Sequence, residues 1–137
     1  MSKPIQLLGM YLHLARASEL RRRPQVRDRL LVVSAAAAQR IGLTRIAAYC
    51  RYRVLESNPH HLIRRWDTIE TALDEPDFLH FLKQLQRRYP QERAEQMLSD
   101  LEIEMGRERE TYFTDEEYAA SLLSVTPEKL DTMFPER

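Results

Sequence analysis

A chain of 137 residues fits one domain and is long enough to bury a core without covalent staples. Its lone cysteine, Cys50, excludes an internal disulfide, and its longest uncharged apolar run, Leu30 to Ala38, is about half of the roughly 20 residues that a bilayer-spanning helix needs. The formal net charge is zero but unevenly laid out: Met1 to Arg65 carries 13 Lys plus Arg against Glu19, Asp28 and Glu56, a net of +10, and Trp66 to Arg137 carries 8 bases against 18 acids, a net of −10.

Glycine is confined to Gly9, Gly42 and Gly106, and no alternating Val/Ile/Thr run bounded by turns appears, so strands have little support. An all-α fold is expected, a compact bundle or short repeat-like array of about six to eight helices in a single domain over 1–137. The segment Met1 to Ala15 lacks the basic-then-apolar pattern of a secretory leader, which makes the cytoplasm the expected compartment. Helix one starts near Pro4, repeats Ile5, Leu8, Leu12 and Ala15 at helical spacing, and stops at Arg21-Arg22-Arg23-Pro24. Helix two runs from Pro24 to Ile41 and ends at Gly42; being apolar around its whole circumference from Leu30 to Ala38, it belongs at the centre of the fold. Helix three, with Thr44 as its expected N-cap, carries Leu43, Ile46, Ala47, Cys50 and Val54 on one stripe and ends before Asn58-Pro59.

A fourth helix is read through Leu62, Trp66, Ile69 and Leu73, and a fifth from Pro76 through Phe78, Leu82, Leu85 and Tyr89. After Pro90 a sixth carries Ala94, Leu98, Leu101 and Met105, followed by a flexible joint near 106–113. Thr114 with Glu117, and Thr126 before Pro127, mark the starts of two short amphipathic helices.

Residues 28–61 resemble one unit of the tetratricopeptide repeat family, in Ala35, Gly42, Ala47, the Val54-Leu55 pair and Asn58-Pro59. The resemblance implies two close-packed antiparallel helices and protein or peptide binding on a concave face that here carries Val32 and Ala36. Ala37 to Arg45 is also similar to the helix-turn-helix of DNA-binding regulators, which implies a second helix, bearing Arg45, Arg51 and Arg53, in the major groove.

The residues themselves hold no Gly-rich phosphate loop, Ser nucleophile elbow or paired metal motif, so no catalytic residues, cofactors or metal are expected. His13, His60, His61 and His80 show no i, i+4 pairing and read as surface histidines, while Cys50, on an apolar stripe with no base beside it, reads as a buried small hydrophobe. Arginine and tyrosine are the side chains enriched at binding hot spots, which nominates Arg45, Tyr49, Arg51, Tyr52 and Arg53 as a contact surface. The expected function is a non-catalytic protein–protein interaction or adaptor domain, with a protein partner or self-association and no membrane. Nucleic-acid binding by the basic N-terminal half is the alternative. The acidic segment Glu92 to Glu117 is expected to lie against or face the basic half, within one chain or between two.

Overall fold

Helix α2 (Pro24–Arg40) lies between α1 (Lys3–Leu20) and α3 (Thr44–Ser57) in the computed structural model, which describes residues 3–135. The ends of the expected 1–137 domain, residues 1–2 and 136–137, lie outside the described residues. The central place of α2 follows from its sequence: Leu30, Leu31, Val32 and Val33 are at most 2% exposed, and Ala35, Ala36 and Ala38 let neighbouring backbones approach. Each such buried Leu or Val is worth about 1.5–3 kcal/mol over an exposed one. Ala37 is the half-buried exception in this run. Val32 and Ala36, which the repeat resemblance places on an open concave face, are enclosed.

The turn from α2 to α3 is a Schellman closure: Gly42 takes φ +86°, its N–H donates to Gln39 O at 3.1 Å, and Leu43 N–H donates to Ala38 O at 2.9 Å. The compact turn makes Leu43 the N-cap of α3, so Thr44 is already helical and does not cap it. α1 ends in the same way, with Arg22 at φ 56° and Arg23 N–H donating to Ser18 O at 2.9 Å.

The rest of the chain forms α4 (Ile69–Ala72), α5 (Pro76–Arg88), α6 (Gln91–Asp100), α7 (Asp115–Leu122) and α8 (Pro127–Met133), with 3₁₀ turns at Leu62–Arg65 and Glu108–Thr111. The start signals Pro76, Thr114 and Thr126 stand where the sequence puts them; Thr114 Oγ1 accepts Glu117 N–H at 3.1 Å and Thr126 Oγ1 accepts Lys129 N–H at 3.1 Å. Two expected helices are shorter. The fourth breaks because Trp66 is extended, and Thr68 starts α4 through a reciprocal capping box with Thr71. The sixth stops at Asp100 rather than reaching Met105, because Glu102 turns left-handed at φ 59° and Ile103 N–H closes onto Leu98 O. α5 packs on α2 and buries Phe78 and Leu82, while α6 and α7 cover α1. Tyr11 Oη donates to Tyr89 O at 2.6 Å, joining α1 to the end of α5.

Candidate protein-contact groove

The five nominated side chains do not form one open patch. Arg45 clamps Glu116, with Nε to Oε2 at 3.0 Å and Nη2 to Oε1 at 2.5 Å, and also pairs with Asp131. Arg51 donates twice to the backbone oxygen of Trp66, at 3.1 and 2.8 Å, which holds the extended residue that interrupts the fourth helix. Arg53 pairs with Glu19 and lies 6.0 Å from the centre of the Tyr49 ring. Burial alone would raise the Glu19 pKa, but hydrogen bonds from Arg27 and Arg53 outweigh it and hold the carboxyl below its usual value. Tyr49 is 5% exposed. Only Tyr52 stands out into solvent, 37% exposed, its hydroxyl donating to Glu56 at 2.9 Å.

α3 has two working faces. Ile46, Ala47, Cys50 and Val54 are buried within the core, the stripe that the sequence marks. A second stripe, Thr44, Ala48, Tyr52 and Leu55, follows at i, i+4, i+8 and i+11 and lines a groove of about 520 Å³. Ile69 of α4 and Phe134, just beyond α8, complete its apolar surface, and Glu56, Asp67 and Glu70 stand along its margin, all exposed. Ala48 carries no signal of its own and Ile69 reads only as part of the fourth helix's stripe; these two and Phe134 come together because three separate segments meet, which no local pattern shows.

The histidines correct one expectation. His13 is not a surface residue: at 7% exposed it holds Glu108 Oε1 through Nε2 at 2.6 Å, and Tyr118 Oη donates to the same oxygen at 2.9 Å. That cluster fastens the expected joint near 106–113 to α1 and α7. His61 Nδ1 accepts Ile63 N–H at 3.0 Å, and burial lowers its pKa. Among the described residues no group of three or more His, Cys, Asp or Glu is placed to hold a metal ion. Cys50 is fully buried, and its thiol is pushed up to about 12 by desolvation, an effect larger than the opposing charge of Arg53. No described helix is long and apolar enough to cross a membrane. No family model, curated protein or solved structure matches the chain.

Proposed function

We propose that the chain is a non-catalytic protein-binding domain whose contact surface is the α3 groove. One observation carries the reading: the partly exposed Ala48, Tyr52, Leu55 and Phe134 line one continuous groove together with the buried Ile69. Tyrosine set among aliphatic side chains is the composition of a binding hot spot, offering a large apolar area with a polar tip. The acidic margin of Glu56, Asp67 and Glu70 favours a partner segment that places basic residues around an apolar anchor.

Arg45 and Arg53, and Arg51 at the groove's own wall, fix α3 to its neighbours, so reversing their charges would disturb the fold along with any contact. The discriminating variants are Tyr52→Ala and Leu55→Glu, at positions 37% exposed and half-buried. Cross-linking from a photoreactive residue at position 48, in cells that express the full chain, should capture one discrete partner, and both variants should abolish the adduct while circular dichroism still shows the folded helical chain. Adducts that persist in both variants would move the contact surface elsewhere.

Nucleic-acid binding keeps one supporting observation, the exposed Arg21-Arg22-Arg23 at the α1–α2 turn. Phosphate contacts make log affinity fall linearly with log salt. A gel shift at low salt that is lost when these three arginines become alanine would favour it over the groove.

A further inference from the structure

Gln39 lines the α3 groove; the next residue, Arg40, projects about 100° further round α2 and lines a different trough. Its sides are two helical stripes, Pro4, Leu7 and Tyr11 of α1 and Val33, Ala37 and Ile41 along α2, and it measures about 420 Å³. Past Arg40 and Gln86 it continues into a hollow of about 460 Å³ against α5, where Leu79 is 37% exposed. The half-burial of Ala37 now has a reason: it opens onto this trough. The two grooves share no lining residue.

The charge here is of one sign. Arg40 and Lys83 are exposed, His80 lies beside them, and among the described residues neither cation has a carboxylate partner and no Asp or Glu lines either hollow. From Val33 to Ile41 the α2 stripe is about 12 Å long at 1.5 Å per residue, which matches about two turns of a docked helix, and the α5 hollow adds further length. Apolar side chains between two helices form a channel that receives the i, i+4, i+7 ridge of a third. A nucleic-acid backbone instead calls for a track of cations, and here two cations stand over an apolar floor.

We propose that this trough binds an amphipathic helix of another protein, with apolar anchors at i, i+4 and i+7 and Asp or Glu on its flanks. Leu7, Ala37 and Ile41 receive the anchors; Arg40 and Lys83 face the flanking carboxylates. This holds whether or not the α3 groove binds anything.

The probe is a phage-displayed library of helical peptides about 14 residues long, a length that covers the trough at 1.5 Å per residue. It is selected on the full chain and counter-selected on an Arg40→Glu/Lys83→Glu double variant. Both positions are exposed, and circular dichroism and melting are recorded to establish that the variant folds. Expected winners are net acidic with i, i+4, i+7 apolar anchors, and their affinity, read by fluorescence anisotropy, falls at least about tenfold in the double variant and in Ala37→Glu. Tyr52→Ala should leave them unaffected. Winners that are neutral or basic, winners that bind the double variant equally, or no winners at all would overturn the proposal. So would a concentration-dependent dimer of the free chain that the double variant dissociates, since the trough would then belong to a second copy. Poly-uridine competing with the peptides, with a steep salt dependence, would assign the face to nucleic acid and likewise overturn it.

Discussion

At the scale of single residues, tight packing around the His13–Glu108–Tyr118 cluster makes the sharpest demand on the sequence. A Cβ at Gly9 would stand 2.5 Å from Tyr118 Oη and 3.0 Å from Met105 Cε, so glycine is required there by space and not by backbone angle. Overpacking of this kind costs typically about 1–3 kcal/mol, and Gly9→Ala should lose that much in urea unfolding. Tyr118→Phe removes the hydroxyl, and with it the bond to Glu108, at a cost of roughly 0.5–1.5 kcal/mol. In the double variant the nearest atoms are Met105 Cε at 3.0 Å and the ring Cε2 at 3.2 Å, so part of the clash is gone. The two losses should therefore be non-additive, the double variant being more stable than their sum by at least about 0.5 kcal/mol. Strict additivity would show that the hydroxyl is not what excludes a side chain at position 9. A close approach of this kind is invisible in the sequence, where Gly9 interrupts nothing and α1 reads as helical straight through it.

Helix ends explain which elements sequence reading located and which it did not. Pro24, Pro76, Pro90, Thr114 and Thr126 each act through local chemistry, a missing N–H or a side-chain acceptor, and the helices begin beside them. Gly42 signals the end of α2 for the same reason, since glycine takes φ +86° without strain. Three other helices end in left-handed residues that carry side chains: Arg22, Glu102 and Ser124 at φ 56°, 59° and 57°. The stop at Arg22 is announced by Pro24 just beyond it, whereas at Glu102 and Ser124 tertiary packing chose the turn. Ile103 and Val125, each one position further along, close the hydrogen bonds onto Leu98 and Ala120 and lie against the core. That is why the sixth helix reads as far as Met105 and stops short. The left-handed conformation costs a residue with a Cβ roughly 1–2 kcal/mol, partly recovered in glycine's more flexible unfolded chain. Arg22→Gly should thus raise stability by about 0.5–1 kcal/mol, a rise of a few degrees in melting temperature. The exposed Arg22 side chain contacts no described carboxylate that the change would forfeit. A melting temperature that falls instead would mean that the arginine makes a favourable interaction outweighing its backbone strain. The candidate groove was partly legible in the same way: Tyr52 lies on a helix whose stripe is readable, whereas Ile69 and Phe134 reach it only through the break at Trp66 and the docking of α8.

For the molecule as a whole, the opposed halves of the sequence meet at few points, and those points differ in worth. Arg45 reaches across from α3 to Glu116 of α7 and Asp131 of α8, His13 holds Glu108, and Arg65 pairs with Asp77 at 3.1 Å. The Arg65–Asp77 side chains are 56% and 72% exposed, and exposed pairs have a median worth of about 0–1 kcal/mol because water competes for both charges. Arg45 is different: its side chain is 13% exposed and Glu116 25%, and the two-point geometry removes the freedom that weakens surface pairs. Hydrogen bonds to charged groups contribute about 1.5–3 kcal/mol each in partly buried settings. Arg45→Met keeps most of the aliphatic stem but leaves Glu116 without its cation. It should cost about 1–3 kcal/mol, while Arg65→Met stays within roughly 0.5 kcal/mol of the parent chain. The loss should also be local, because α7 and α8 meet α3 in the neighbourhood of this pair: amide exchange should accelerate across residues 115–133 before it does in α2. About 1 M salt shortens the Debye length to roughly 3 Å, which should abolish the small effect of Arg65→Met and leave most of that of Arg45→Met. Equal effects of the two substitutions, or uniform acceleration of exchange through α2, would mean that the apolar contacts alone dock the acidic half and that Arg45 only decorates them.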